Sequence, residues 1–202
     1  MSRKKNSKNP RVIGLTGGIG SGKTVATDAL KAEGYNVIDA DDVSRMLFAR
    51  GTDGEAELCA AFPEATNDDG TLDRAALRYI ISCDVALRAR LDAATHPRII
   101  AYIRERLSAV TRDTVLSAPL LFESGLDDVC DLTVCITCPL ADRVRRVINR
   151  DGITEAAARA IIATQLTDDE RVRRCDIAIS SDSTIEQFRM NVLNVFEQLV
   201  NQ

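Results

Sequence analysis

The sequence lacks any long run of apolar residues. Its 202 residues are 45% hydrophobic and 28% charged, which are ordinary values for a globular protein. No apolar run approaches the roughly 18 residues that a membrane-spanning helix needs. The basic side chains of Arg3, Lys4, Lys5 and Lys8 are not followed by the apolar stretch of a secretory signal. We therefore expect residues 1–10 to form a disordered basic tail on a soluble, cytoplasmic protein that has no membrane partner.

The sequence also lacks an excess of positive charge. The tail carries four of the 26 basic residues and none of the 30 acidic ones, so the remaining chain has a net charge of −8 rather than −4. An acidic body is unfavourable for binding the phosphate backbone of nucleic acids. We expect no nucleic-acid partner.

Histidine is almost absent, which limits what the six cysteines can do. Cys135 and Cys138 form a CxxC pattern, but His96 is the lone histidine and further zinc ligands are missing nearby. A redox pair would be expected at a helix N-terminus, whereas this pair ends an apolar, β-branched run. With no signal segment, the cysteines are expected to be reduced thiols that pack in the interior.

Short apolar runs alternate with helical patterns along the chain. Helical or loop segments separate each run from the next, and a final amphipathic helix covers residues 184–200. Parallel strands joined by helices form a sheet that is covered on both faces. The pattern therefore predicts an α/β protein of three layers with a five-stranded parallel sheet. The predicted strands are residues 11–16, 35–42, 114–122, 132–137 and 176–180.

Residues 51–111 contain helical patterns and no convincing strand. We predict an inserted helical region here, in which Pro97 occupies the first turn of the last helix and His96 or Thr95 caps it. A second helical stretch, residues 151–170, is predicted to be a mobile lid. Residues 11–50, 112–150 and 171–202 form the core of what we predict to be a single domain spanning residues 11–202.

The segment Gly17–Thr24, GGIGSGKT, matches the phosphate-binding pattern GxxxxGK(S/T) between a predicted strand and a predicted helix. Small residues allow successive backbone N–H groups to turn toward phosphate oxygens, and the helix dipole adds to the attraction. Lys23 would reach the β- and γ-phosphates of ATP, and the Thr24 hydroxyl would bind Mg²⁺. The alternative is an incidental glycine-rich turn. The residues predicted to hold ATP in this loop are Gly18, Ile19, Gly20, Ser21, Gly22, Lys23 and Thr24.

Several motifs that accompany such a loop are missing. The sequence has no NKxD with which a GTPase reads guanine, and no DxxG with which it senses the γ-phosphate. The third predicted strand also lacks the terminal Asp with which a motor ATPase holds its metal. These absences favour a small-molecule kinase over a switch or a motor.

Six segments in order, GLTGGIGSGKT, VIDADDVSR, DGTLDRAALR, HPRI, PLLFE and RDGIT, make the chain from about Arg11 to its end resemble the dephospho-coenzyme A kinase family. That family belongs to the nucleoside-monophosphate-kinase-like group with a P-loop fold. The resemblance implies transfer of the γ-phosphate of ATP to the ribose 3′-hydroxyl of dephospho-CoA, with Mg²⁺, as the last step of CoA synthesis. It also implies that residues 51–111 bind the substrate.

The resemblance implies catalytic roles for Asp41, Lys23 and Arg146. Asp41, the second Asp of the DAD segment, matches the carboxylate that acts on the substrate hydroxyl; its alternative role is a helix N-cap. Arg146 matches the arginine that stabilises the transferred phosphoryl group, with Arg150 near the ATP phosphates. Arg143, Arg146 and Arg150 share one predicted helix face, which would otherwise be a solvated basic surface.

Three further residues are implied to contact dephospho-CoA. His96 is a substrate contact or a helix cap, and Arg74 meets substrate phosphates or pairs with Asp73. Glu123 contacts the substrate or a water bound to magnesium. The chain departs from the family by having Thr24 in place of serine and Ile179–Ser183 in place of an Asn–Gly turn near the adenine, so contacts to the base are not transferred.

Two other functions stay open at this stage. One is another small-molecule or nucleotide kinase with the same loop, and the other is a regulatory protein that binds ATP without transferring phosphate. Composition and motifs do not distinguish between a monomer and a small homo-oligomer.

Overall fold

The structure is a computed structural model that describes residues 10–201, so residues 1–9 of the predicted tail lie outside the described residues. The chain divides into two compact units. The core unit comprises the chain up to Asp39 and from Ala109 onward, and the helical unit is Ala40–Ser108. The helical region was predicted at residues 51–111. The unit begins earlier, because the helix that directly follows the second strand belongs to it rather than to the core.

The core unit contains a five-stranded parallel sheet, as predicted. Its order across the sheet is β2-β3-β1-β4-β5, so the first strand lies in the centre with its two neighbours on opposite sides. The loop that follows this strand is therefore at the point where the strand order reverses, which is where ligands bind in such sheets. The strands are β1 (Val12–Gly17), β2 (Asn36–Asp39), β3 (Thr114–Ser117), β4 (Leu132–Thr137) and β5 (Ile177–Ser180).

α-Helices follow β1, β2, β4 and β5, whereas turns and a short 3-10 helix, Leu126–Val129, connect β3 to β4. None of those found within residues 10–201 is both long and apolar enough to cross a membrane. In the order of the chain they are α1 (Lys23–Ala32), α2 (Ala40–Leu47), α3 (Asp53–Ala61), α4 (Arg74–Cys83), α5 (Val85–Ser108), α6 (Leu140–Asp151), α7 (Glu155–Ala163), α8 (Asp168–Arg174) and α9 (Ile185–Val200).

Alternating residues of β1 pack on opposite faces of the sheet. Ile13 and Leu15 are buried in a cluster with apolar residues of α1 and α9, because side chains two apart along a strand point to the same face. Gly14 lies between them, and a side chain at this position would meet Leu121 and Cys130. The centre of the sheet is therefore closely packed on both faces, which gives the loop after β1 a rigid base.

The third strand ends earlier than predicted. β3 stops at Ser117, although the apolar run continues to Phe122. The Ala118 N–H still bonds to the Leu15 carbonyl at 2.9 Å, but Pro119 has no N–H to continue the ladder. The residues after it form turns instead, so the length of an apolar run overestimated the strand.

The helical unit has its own apolar core, made by Phe48, Phe62 and their neighbours. Two helices of this unit begin with Thr and Asp caps, which are residue types preferred at that position. Thr52 accepts the Glu55 N–H at 3.2 Å at the start of α3, and Asp73 accepts two N–H groups at the start of α4. Caps and core together explain why residues 40–108 form a compact unit.

The predicted helix boundary at Pro97 was wrong. α5 runs through Pro97, and Thr95 donates its hydroxyl to the Leu91 carbonyl at 2.8 Å within the same helix. Proline removes one helical hydrogen bond, which destabilises a helix by about 3 kcal/mol. Leu91 and Ile99, on either side of Pro97, pack against the same apolar core. This shared burial outweighs the lost bond and keeps the helix continuous.

The two cysteines of the CxxC pattern are buried, as a packing role requires. Cys135 lies in β4 and Cys138 directly follows it. The cysteines with described side chains are free thiols, and burial together with nearby carboxylates raises the pKa of Cys130 to about 12. Within the described part of the chain, no group of three or more His, Cys, Asp or Glu side chains is arranged to hold a metal ion.

Candidate active site

The glycine-rich loop connects the central strand to α1. Two of its glycines, Gly20 and Gly22, have φ angles of +77° and +104°, in the left-handed region that residues with a Cβ rarely adopt. α1 begins at Lys23, so the loop ends at a helix N-terminus. Unpaired N–H groups and the helix dipole make such an end attractive to anions. The loop therefore has the local geometry of a phosphate-binding site.

The Lys23 side chain lies between the carboxyl ends of two strands. Its Nζ donates to Ser117 Oγ at the end of β3, at 2.9 Å, and lies 3.6 Å from Asp39 Oδ2 at the end of β2. The side chains of Lys23 and Asp39 are only 9% and 10% exposed. Because a buried ammonium needs partners, these two contacts hold the Lys23 side chain close to the loop.

Thr24 fits the predicted magnesium site. It is exposed in the first turn of α1, next to Lys23, and it offers a hydroxyl oxygen. Mg²⁺ prefers oxygen ligands, keeps several waters and is held in kinases by one or two protein groups together with substrate phosphates. The residues present fit a metal that arrives with ATP rather than one held by a dedicated protein cage.

Two arginines of α6 hold carbonyl groups of the loop. Arg143 Nε donates to the Ile19 carbonyl at 3.0 Å. Arg146 Nη1 lies 3.2 Å from the Gly20 carbonyl and 3.3 Å from the Ser21 carbonyl. Arg143 is buried and Arg146 half-buried, so the alternative of a solvated basic face is wrong for both residues.

The tip of the loop is also held by the predicted lid. The Ile19 N–H donates to Gln165 Oε1 at 2.8 Å, just beyond α7. The Ile19 side chain packs against a buried cluster that includes Val144 of α6 and Ile162 of α7. The loop and the lid are therefore linked through both the backbone and the side chain of one residue.

A buried ionic network lies behind the loop. Arg143 Nη1 is 2.8 Å from Asp168 Oδ1, and Arg171 Nη1 is 3.6 Å from the same oxygen. Arg171 is completely buried and also lies 3.4 Å from Glu123. Among the described residues, Arg143 Nη2 and Arg171 Nε are buried without a hydrogen-bond partner. The surroundings of Gly18 are therefore electropositive, which favours an anionic ligand at the loop.

We expect Gly18→Ala to weaken ATP binding at least tenfold. The Gly18 backbone does not have a positive φ, so alanine is compatible with it. However, the new Cβ would overlap the Arg143 guanidinium and lie 3.0 Å from Arg171 Nη1. Displacing Arg143 would remove its bond to Ile19, and overpacking of this kind destabilises a protein by about 1–3 kcal/mol. Calorimetric titration with ATP and thermal unfolding would measure both effects.

Gly34→Ala is the control for this variant. Gly34 has a φ of +88° and open space around it, so alanine introduces backbone strain without a clash. This control is expected to unfold at a lower temperature and to bind ATP normally. Equal ATP affinities for Gly18→Ala and the wild type would refute the importance of this close contact.

Asp41 lies inside the first turn of α2 in the helical unit. Because α2 begins at Ala40, Asp41 is not the residue before the helix, and the alternative role of an N-cap is wrong. A carboxylate in the first turn of a helix interacts favourably with the helix dipole. Asp41 follows the end of β2 by two residues, so chain connectivity ties it to the strand that carries Asp39.

Arg150 and Glu123 have protein partners in the structure. Arg150, at the end of α6, makes a two-pronged contact with Asp151 at 2.7 Å for each bond, and this pairing lowers the pKa of Asp151. Glu123 Oε1 accepts from the Leu166 N–H at 3.4 Å in addition to its contact with Arg171. Their roles toward ATP and the substrate remain predictions.

Arg74 and His96 lie in the helical unit. Arg74 donates to the Phe48 carbonyl, while Asp73 caps α4. His96 Nε2 is 3.5 Å from Asp92 Oδ1 in the preceding turn of α5. Since His96 is inside a continuous helix, its alternative role as a cap is wrong, and a contact with the substrate stays a prediction.

Several residues that contact the loop, or that support the side chains beside it, were not predicted from the sequence. They come from distant parts of the chain and have polar side chains in no recognisable pattern, so nothing in the sequence marked them as neighbours of the loop. Only Ser117 had a signal in the sequence. It ends an apolar, β-branched run, and the carboxyl end of a buried parallel strand lies at the edge of the sheet where ligands bind. The missed residues are Ser117, Gln165, Asp168, Arg171 and Ser181.

Comparison with known proteins gives consistent matches over nearly the whole chain. A sequence profile described as dephospho-CoA kinase matches residues 11–187. A dephospho-CoA kinase of Corynebacterium glutamicum is 36% identical over 192 residues, covering 93% of this chain and 98% of that protein. A crystal structure of a Thermus thermophilus protein superposes with a TM-score of 0.77 at 32% identity, covering 95% of this chain and 99% of that one.

A second solved structure supports the fold. Dephospho-CoA kinase from Campylobacter jejuni superposes with a TM-score of 0.69 at 22% identity, covering 94% of this chain and 97% of that chain. The profile match and the identity over the full length are stronger evidence than the fold, because P-loop folds serve many reactions. The chain therefore belongs to the dephospho-CoA kinase family.

Proposed function

We propose that the chain transfers the γ-phosphate of ATP to the ribose 3′-hydroxyl of dephospho-CoA, which is the last step of CoA synthesis. The observation that carries this proposal is the loop itself. Two of its glycines adopt positive φ angles, the Lys23 side chain is buried against Asp39 and Ser117, and Thr24 is exposed at the helix start. Membership of the dephospho-CoA kinase family supports dephospho-CoA as the acceptor of the phosphoryl group.

Asp41 is the proposed base. It accepts the proton of the 3′-hydroxyl as the hydroxyl oxygen forms its bond to the γ-phosphorus, and the bond from that phosphorus to the β,γ-bridging oxygen breaks to release ADP. A positioned base contributes about 10²–10⁴-fold to such a step. Its place in the first turn of α2 gives the carboxylate a favourable interaction with the helix dipole.

Lys23 and Arg146 are the proposed electrostatic groups. Lys23 neutralises charge on the β- and γ-phosphates, and its contacts with Asp39 and Ser117 limit its motion. Thr24 would hold Mg²⁺, which would supply positive charge to offset that of the phosphate oxygens. Arg146 is half-buried beside the loop carbonyls. It is the arginine that we propose contacts the transferred phosphoryl group.

The helical unit is proposed to bind dephospho-CoA through Arg74 and His96, with Glu123 of the core unit as a further contact. Arg150 is proposed to act near the ATP phosphates, and residues 151–170 to form a lid that excludes water during transfer. We further propose that the protein works in the cytoplasm, as a monomer or a small homo-oligomer.

Incubation of the purified protein with ATP, Mg²⁺ and dephospho-CoA tests this function. We expect CoA and ADP to appear in equal amounts, whereas a panel of nucleoside monophosphates should give no phosphorylated product. Turnover of a nucleoside monophosphate without formation of CoA would indicate another small-molecule kinase. ATP binding with no product from any acceptor would indicate a regulatory nucleotide-binding protein.

A further inference from the structure

Ser181 is the first residue after β5, and its backbone is held by the sheet. Its N–H donates to the Thr137 carbonyl at 2.9 Å, next to the last pair of the β4–β5 ladder. The residue is 2% exposed. The position of its side chain is therefore set by the same sheet that carries the phosphate loop.

The Ser181 hydroxyl joins the loop to α6. It lies 2.5 Å from the Ser21 carbonyl and 3.0 Å from Arg146 Nη1. A guanidinium can only donate, so the hydroxyl accepts from Arg146, and its single proton is directed to the Ser21 carbonyl. The Ser181 carbonyl accepts from Arg146 Nη2 at 3.1 Å. Arg146 therefore donates to both the hydroxyl and the carbonyl oxygen of Ser181.

Fixing the Ser21 carbonyl also fixes the N–H of the next residue. The peptide group is planar and trans, so the Ser21 C=O and the Gly22 N–H point in opposite directions. A carbonyl directed at Ser181 therefore turns the Gly22 N–H to the other side of the loop. Gly22, with a φ of +104°, has no Cβ to restrict this peptide, so an external hydrogen bond is needed to orient it.

We propose that Ser181 is a positioning residue for ATP, which orients the Ser21–Gly22 peptide toward the triphosphate and holds the Arg146 guanidinium beside it. This inference deepens the proposed function, since it concerns the same ATP site. The proposed positioning role falls on a residue of the segment Ile179–Ser183, for which the resemblance to the family assigned no contacts.

The test compares Ser181→Ala with the control Ser183→Ala. Ser183 lies in the same loop, is exposed, and donates to the Thr184 carbonyl at 3.3 Å. Ser181→Ala leaves the Ser21 carbonyl with only the longer contact from Arg146 Nη1, at 3.3 Å. We therefore expect the dissociation constant and KM for ATP to rise about tenfold. The KM for dephospho-CoA should stay within about twofold of the wild type in both variants, and Ser183→Ala should resemble the wild type throughout.

Ser181→Cys separates volume from hydrogen bonding. A thiol fills a similar space but is a weak donor, so this variant should remain impaired in ATP binding. Normal ATP affinity in Ser181→Ala or Ser181→Cys would overturn the inference, as would an equal rise in KM for both substrates. Because ATP binding is measured without an acceptor, the test still decides the inference if the wild type makes no CoA and the proposed function fails.

Discussion

Asp41→Asn is expected to lower kcat by about 10²–10⁴-fold while the dissociation constant for ATP stays near that of the wild type. Asparagine has the shape of aspartate but cannot accept the proton of the substrate hydroxyl. Asp41 lies in the first turn of α2, so loss of its charge should lower the free energy of unfolding by only about 0.3–1 kcal/mol. Steady-state formation of CoA and calorimetric titration with ATP measure the two quantities.

Asp42→Asn is the matched control. Asp42 is the neighbouring carboxylate of the same helical turn and pairs with Arg45, so it shares the helix-dipole effect of Asp41. We expect turnover within a few-fold of the wild type for this variant. A near-normal rate for Asp41→Asn, or an equal loss in both variants, would remove Asp41 from its proposed role as the base.

Lys23→Met is expected to lower kcat/KM for ATP by about 10²–10³-fold, because it removes a cation from the transferred phosphoryl group. Methionine has similar length and flexibility, so the main change is the loss of charge. The same substitution leaves Asp39 as a largely buried carboxylate without its Lys23 partner, and we expect a lower unfolding temperature. Kinetics of CoA formation and thermal unfolding would be measured together.

The double variant Lys23→Met with Asp39→Asn separates catalysis from stability. Replacing Asp39 removes the buried charge that Lys23 balanced, so the unfolding temperature should recover toward that of the wild type. The rate should remain low because the ammonium is still missing. Recovery of activity along with stability would mean that Lys23 acts only through folding.

Much of the core unit was predictable because its signals are local. Apolar runs of β-branched residues marked all five strands, and the parallel arrangement followed from the helices between them. The predictions failed at Pro119 and Pro97, where a proline acts in opposite ways. Pro119 ended β3 because no alternative donor replaced its N–H, whereas Pro97 lies inside α5 because apolar residues on both sides of it are buried together.

The candidate site was predictable only in part, for a related reason. The loop glycines and Lys23 occupy fixed positions in one short segment, and Asp41 follows the adjacent predicted strand in the sequence. The contacts of Arg143 and Arg146 could not be predicted, because a basic helix face looks the same in sequence whether it meets solvent or the carbonyls of a loop. Only the packing of α6 against the loop distinguishes the two cases.

The sequence by itself determined the fold class, the phosphate loop and the family, since each depends on residue types at short, regular spacing. The tertiary structure alone decided how that loop is supported. Arg171 is buried, and Ser181 meets the loop from 160 positions further along the chain. A buried guanidinium or hydroxyl requires hydrogen-bond partners that only the folded chain brings together. No local sequence pattern therefore predicts which of these groups are buried.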